Sequence, residues 1–97
     1  MNLYDYITPQ SGEDFTTLLS HKNIKINRIV SSDNVKTVEY SQKEDEWVVL
    51  LQGKATLLLH GKELILTEGE TLFIPARTTH RILKTDKNTL WLTIHIS

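Results

Sequence analysis

Two side chains that can bind a metal ion or move a proton, Glu46 and His80, stand at the ends of one regular stretch of the chain. The stretch reads EWVVLLQGKATLLLHGKELILTEGETLFIPARTTH and carries glycines at positions 53, 61 and 69. A glutamate and a histidine that meet in space form a partial metal site or an acid–base pair. The chemistry therefore depends on elements that bring the two ends of this stretch together.

Short apolar runs separated by evenly spaced glycines predict strands joined by tight turns. Residues 24–30 and 35–42 alternate in polarity, as half-buried strands do, whereas residues 46–52 are apolar on both faces. So many short strands leave no room for parallel crossovers. The sequence predicts an antiparallel all-β fold, either a two-sheet jelly roll or a small closed barrel. The predicted strands are 1–7, 24–30, 35–42, 46–52, 55–60, 63–67, 71–74, 80–84 and 90–96.

Residues 12–19 are predicted to form the one helix of the chain. Ser11 is a favourable N-cap residue. The apolar residues Phe15, Leu18 and Leu19 have the i, i+3, i+4 spacing of a helix that packs one face on a core.

The 97 residues are predicted to form a single domain, with an N-terminal arm of residues 1–22 and a barrel of residues 23–97. The net charge of −1 offers no basic surface for nucleic acid. The absence of cysteine excludes disulfides and thiolate chemistry. The start of the sequence lacks a signal-peptide pattern, and no apolar run reaches the roughly 20 residues of a membrane helix. We therefore expect a cytoplasmic protein with no membrane partner.

The spacing of several residues resembles the two motifs of the cupin family, approximately G-x5-H-x-H-x3–4-E-x6-G and G-x5-P-x-G-x2-H-x3-N. Glu46 and Gly53 match the end of the first motif. Gly69, Pro75 and His80 match the second motif at the same spacings. Cupins are jelly-roll barrels, so the resemblance implies the fold that the turns and the alternation predict independently.

The chain departs from the cupin motifs at the positions that bind metal. Cupins that hold Fe, Mn, Ni or Zn use two histidines of the first motif, and this sequence has Tyr40 and Gln42 there. Arg77 stands in place of a glycine of the second motif. Of four family ligands, only Glu46 and His80 remain. The run YSQKEDEW is similar to small single-domain cupins in which a Tyr-x-Gln-x3-Glu-Trp pattern replaces the histidine pair.

A second histidine, His95, keeps the hypothesis of a metal site open. If Lys87-Asn88 is a two-residue hairpin loop, His80 faces His95 across that hairpin with Cβ atoms about 5 Å apart. His80, His95 and Glu46 would then form a two-histidine, one-carboxylate set for a divalent transition metal, with Gln42 as a weaker ligand. The alternative is that no metal binds and that Glu46 forms a hydrogen-bonded polar pair with His80.

Two functions of a barrel pocket stay open. The first is a small-molecule-binding protein whose pocket holds Tyr40, Gln42, Glu46 and His80, with Arg77 near the barrel mouth for an anionic ligand. The second is a metal-dependent enzyme of the dioxygenase or isomerase type, or a metal-free variant that moves a proton between His80 and Glu46 with help from Tyr40.

A third function is a structural or regulatory module that works as a homodimer. Cupins are commonly dimers, so the resemblance implies one here. The residues Trp47, Val49 and Leu51 are expected to face outward and to need a cover, which a second copy or the N-terminal segment would supply.

Overall fold

The structure, a computed structural model, describes all 97 residues and contains nine strands and no helix. The strands pair antiparallel in a five-stranded sheet of order β1-β2-β9-β4-β7 and a four-stranded sheet of order β3-β8-β5-β6. The predicted antiparallel all-β fold is thus confirmed. The strands are β1 Glu13–His21, β2 Ile24–Ser31, β3 Glu39–Tyr40, β4 Asp45–Gln52, β5 Ala55–Leu59, β6 Lys62–Leu66, β7 Thr71–Ile74, β8 His80–Thr85 and β9 Thr89–Ile96.

The predicted N-terminal helix is wrong, because its residues belong to strand β1. This strand pairs with β2 along its whole length, from Glu13 opposite Ser31 to His21 opposite Ile24. A bulge between Thr17 and Leu19 shifts the register within this strand, so its apolar residues do not keep a strict two-residue alternation. Pairing with β2 supplies hydrogen bonds along the strand and overrides the weak local preference for a helix.

The predicted first strand, residues 1–7, is also wrong. Residues 3–8, here called the N-terminal strap, lie without regular structure against the outer face of the five-stranded sheet. Arg28 of β2 holds the strap, since its Nη1 donates to the carbonyl oxygens of Leu3 and Asp5, both at 3.2 Å. Its guanidinium also lies 5.6 Å from the centre of the Tyr6 ring. Arg28 is consequently buried although it faces away from the core.

The predicted hairpin of residues 80–84 and 90–96 does not form, because β8 and β9 lie in different sheets. The connection crosses from one sheet to the other, with Asn88 at a positive φ of 69°. Its backbone bonds to the β4–β5 turn and to the end of β2, as Asp86 N donates to Lys54 O at 3.0 Å and Asn88 N to Ser31 O at 3.0 Å. The pairing of His80 with His95 across one hairpin is therefore wrong.

Strand β3 is much shorter than the predicted strand 35–42. It contributes two pairs, Glu39 with Arg81 and Tyr40 with His80. The chain just before it bonds elsewhere, since Asn34 O accepts a hydrogen bond from Gly12 N at 2.8 Å.

The core lies between the two sheets and supports the pocket described below. Gly53, in the turn after β4, has a positive φ of 93°, and a Cβ there would lie 2.5 Å from Thr89 Oγ1. Only glycine allows this close approach of the β4–β5 turn to β9. The core residues are Val48, Leu50, Ala55, Leu57, Leu66, Ile74 and Trp91.

The structure has no helix of the length and apolarity needed to cross a membrane.

Candidate functional site

A pocket of about 110 Å³ opens between the two sheets and is lined by residues of both. Its walls are mostly apolar, and its polar groups come from five different strands and from the loop after β3. The apolar lining is formed by Phe15, Ile29, Val48, Leu57, Ile74, Ile82 and Trp91. The polar lining is formed by Glu13, Tyr40, Gln42, Glu46, His80, Thr93 and His95.

Strand register brings five of the predicted site residues to this one pocket. Glu46 on β4 lies directly opposite His95 on β9. Tyr40 on β3 lies opposite His80 on β8, and their ring centres are 5.8 Å apart. Gln42 follows two residues after Tyr40 and also lines the pocket. His80 and His95 thus approach the pocket from opposite sheets rather than from one hairpin.

Arg77, by contrast, is exposed and does not line the pocket. Its backbone has a positive φ of 60°, and its N–H donates to Gln42 O at 2.6 Å. Arg77 therefore anchors the loop that carries Gln42 through its main chain, and the structure gives its side chain no contact with the pocket.

The carboxylate of Glu46 is bonded to Gln42 and faces His95. Gln42 Nε2 donates a hydrogen bond to Glu46 Oε1, and Glu46 Oε2 lies 3.7 Å from His95 Nε2. On the other side of the same ring, His95 Nδ1 lies 3.3 Å from Glu44 Oε1, in ion-pair range but without hydrogen-bond alignment. The imidazole of His95 therefore lies between two carboxylates.

The predicted pair of Glu46 and His80 does not form. His80 Nδ1 instead lies 3.1 Å from the carbonyl oxygen of Thr78. Because that oxygen can only accept, Nδ1 carries the proton and Nε2 is the acceptor of the neutral ring.

The donor set does not fit a metal ion as it is arranged. No group of three His, Asp or Glu side chains converges closely enough to hold one. Gln42 turns its amide N–H groups toward Glu46, whereas a metal would need its carbonyl oxygen. Glu46, His80 and His95 share a pocket but do not form a ligand set, so no step through a metal is derived below.

Glu13 lines the pocket although the sequence did not predict it there, because residues 12–19 were expected to form a helix. Glu13 accepts a hydrogen bond from Ser31 Oγ, which accepts one from Trp91 Nε1 at 2.9 Å. Burial raises the pKa of Glu13 above 4.5, against the opposing effect of the Ser31 hydrogen bond. Burial, together with the negative charge of Glu13, raises the pKa of Tyr40 above 10.0. The alternation of Glu13, Phe15 and Thr17 was the signal that could have found this face.

The second missed residue is Thr93, on β9 between Trp91 and His95. It is 1% exposed, and its Oγ1 has no hydrogen-bond partner although it lines the pocket. Buried hydroxyl groups are nearly always bonded, so an unpartnered one at a pocket wall calls for a group from outside the chain. The strict alternation along β9, which puts Thr93 on the same face as Trp91 and His95, is the sequence pattern that could have identified it.

Comparison with solved structures gives relatives that share this fold over nearly the whole chain. A candidate mannose-6-phosphate isomerase from Ralstonia eutropha JMP134 is 32% identical, with a TM-score of 0.89 over 100% of this chain and 96% of that one. A cupin superfamily protein from Desulfitobacterium hafniense DCB-2 is 20% identical, with a TM-score of 0.82 over 94% and 83% of the two chains. KdgF from Halomonas sp. is 14% identical, with a TM-score of 0.80 over 89% and 80%. At identities this low, the last two show the fold alone.

A sequence search of curated proteins gives no match. The family model of the cupin domain, in contrast, matches residues 33–95, which hold strands β3 to β8 and nearly all of β9. The two-sheet architecture and the motif residues Glu46, Gly53, Gly69, Pro75 and His80 agree with that match. The chain therefore belongs to the cupin family.

Proposed function

We propose that this protein binds a small molecule in the pocket between its two sheets. The observation that carries the proposal is the unpartnered hydroxyl of Thr93, buried at the wall of a pocket that is otherwise mostly apolar. A few converging polar groups in an apolar cavity are the usual form of a ligand site. Glu46, His80 and His95 supply such groups from three different strands.

The volume limits the part of the ligand that the barrel encloses. A cavity of about 150 Å³ accepts a molecule the size of benzene, and this pocket measures about 110 Å³. The enclosed part of the ligand therefore has about four or five non-hydrogen atoms. The likeness to a candidate mannose-6-phosphate isomerase does not carry its substrate over, since no lysine or arginine lines the pocket to receive a phosphate.

The proposal is tested by screening small alcohols, amines, amides and carboxylic acids against isotope-labelled protein by NMR. We expect binders to shift the backbone amides of Glu46, Thr93 and His95. Ile82→Trp fills the pocket and is expected to abolish these shifts, whereas Ile65→Trp, on the exposed face of β6, leaves them unchanged. Binding confined to surface residues, or shifts that survive Ile82→Trp, would refute the proposal.

Thr93→Val gives an independent test, because it keeps the shape of the side chain and removes the unpartnered hydroxyl. We expect the free energy of unfolding to stay the same or to rise by up to about 1 kcal/mol. The affinity for any pocket-binding fragment that reaches this hydroxyl is expected to fall by about tenfold. A loss of stability together with unchanged binding would mean that the Thr93 hydroxyl is structural.

A second candidate function is self-association through the outer face of the five-stranded sheet. Strand register aligns one apolar residue from each strand in a row across this face, here called the outer row. We propose that a second copy of the chain covers this row, since both of its ends are about half exposed. The outer row consists of Leu19, Ile26, Ile94, Trp47 and Phe73.

A further inference from the structure

We propose that the ligand of this pocket is a small organic amine that binds as its ammonium form. This inference rests on the proposed function and adds the charge and chemical class of the ligand. Its basis is the excess of carboxyl groups over cations around the pocket, combined with the unpartnered Thr93 hydroxyl and with aromatic walls.

The charges that surround the pocket are mainly negative. Glu13 and Glu46 line it, and Glu44 touches its histidine, His95, from the far side. No lysine or arginine lines the pocket. Arg81, which lies between the lining residues His80 and Ile82 on β8, forms an ion pair with Glu39 at 2.8 Å, and neither Arg81 nor Glu39 lines the pocket.

Glu46 lacks a full positive partner. It is 7% exposed, one of its oxygens is bonded to a neutral amide, and the other faces His95 at 3.7 Å. A protonated imidazole at His95 would be shared between Glu44 and Glu46, so it would balance only one of the two charges. A buried carboxylate without a cation is costly. A cationic ligand removes this cost, and an anionic ligand increases it.

The walls of the pocket favour an organic cation over a metal ion. Trp91, Tyr40 and Phe15 present aromatic side chains, which attract ammonium groups through their π faces. The Thr93 hydroxyl adds an acceptor for an ammonium N–H at the same wall. A metal ion would instead need three converging ligands, and no such group exists in the structure.

The test uses three probes of similar length and different charge, n-butylammonium, 1-butanol and butyrate, titrated by NMR at pH 8. At this pH imidazole side chains are in general neutral. We expect butylammonium to bind about tenfold tighter than butanol, and butyrate to bind weakest. If butanol or butyrate binds tightest, the ligand class is wrong while the proposed function stands. If none of the three binds, this inference falls, and the fragment screen decides the proposed function separately.

Glu46→Gln keeps the shape of the side chain and removes its charge. We expect it to abolish the preference for butylammonium over butanol. Glu63→Gln is the matched control, because Glu63 is exposed on β6 and lies outside the pocket. Glu13→Gln is a second variant in case Glu46→Gln does not fold, and it should reduce the same preference. If both Glu46→Gln and Glu13→Gln still bind butylammonium in preference to butanol, the inference is overturned.

Discussion

Glu13 stands at the pocket wall at the end of a chain of hydrogen bonds. Trp91 Nε1 donates to Ser31 Oγ, and Ser31 donates in turn to the Glu13 carboxyl group. All three side chains lie on the five-stranded sheet, on the side that faces the core. The arrangement fixes the position of the carboxyl group while burial raises its pKa above 4.5.

The raised pKa of Glu13 predicts how stability changes with pH. A carboxyl group whose pKa is raised by folding binds more protons in the folded state than in the unfolded state, so stability falls as pH rises from below 4.5 through the folded pKa. Glu13→Gln removes this ionisation. We expect the variant to be more stable than the wild type at pH 8, with the advantage shrinking toward pH 4, as measured by urea unfolding.

Asp14→Asn is the control for Glu13→Gln, because the neighbouring Asp14 side chain is exposed on the opposite face of β1. Its effect on stability should be small at both pH values. A stability difference between Glu13→Gln and the wild type that is the same at pH 4 and pH 8 would contradict the assigned cause.

At the residue scale, spacing along the sequence predicted part of the site. The positions of Glu46 and His80 follow from motif spacing, and Tyr40 and Gln42 follow from their offset to Glu46. Thr93 could not be identified in the same way, because its importance comes from lacking a partner after two sheets have packed. The neighbours of Glu46 likewise depend on strand order: β9 lies beside β4, which makes His95, and not His80, the partner of Glu46.

Among the elements, the N-terminal strap is held mainly by one buried side chain. Arg28 bonds to two strap carbonyl groups and lies against the Tyr6 ring. Its Nε has no hydrogen-bond partner, so the strap satisfies this guanidinium only in part. The strap also bonds to the β8–β9 connection, where Thr8 Oγ1 donates to Asn88 Oδ1 at 2.6 Å.

Arg28→Met keeps the apolar stem of the side chain and removes the contacts to the strap. We expect the free energy of unfolding to fall by about 1–3 kcal/mol, because hydrogen bonds from a buried charged group are lost and two carbonyl groups lose a partner. The matched control is Arg81→Met, whose partial exposure and single ion pair with Glu39 predict a loss below about 1 kcal/mol. Equal losses in chemical denaturation would show that the strap does not depend on Arg28.

Most strands could be predicted from alternation and turn residues, and the failures lie where the structure depends on pairing between distant parts of the chain. The predicted strands 46–52, 71–74 and 80–84 match β4, β7 and β8 to within one residue. The errors at residues 1–7 and 12–19 arose where local pattern and long-range pairing disagree. β1 is an edge strand that pairs only with β2 and carries a bulge. Its sequence therefore shows little of the two-residue period that distinguishes a strand from a helix.

At the scale of the whole molecule, the outer row is the largest aligned set of apolar side chains away from the core. It crosses all five strands of the sheet, a width of roughly 19 Å at the usual strand spacing. The N-terminal strap contacts Arg28 of the same outer face, and neither end of the row is covered, since Leu19 and Phe73 are 50% and 52% exposed. This exposure is the basis for expecting a homodimer.

Phe73→Lys combined with Leu19→Lys places charge at both ends of the outer row. If a second copy covers the row, light scattering should give a dimer for the wild type at micromolar concentration and a monomer for the double variant. Ile65→Lys, an equally exposed apolar position on the other sheet, is the control and should leave the dimer intact. A wild-type monomer, or dissociation by Ile65→Lys, would rule out this interface.

The shortness of β3 has a consequence for how fast a ligand can enter and leave the pocket. Tyr40 and Gln42 form their part of the pocket wall on a segment that pairs with β8 through only two residue pairs. Three further bonds hold it, from Arg77 N to Gln42 O, from Arg81 to Glu39 and from Gln42 to Glu46. Neither Tyr40 nor Gln42 belongs to the core between the sheets. Local opening of such a weakly held segment costs far less free energy than global unfolding. We therefore expect the rates at which a ligand enters and leaves to depend on this short segment more than on the stability of the barrel.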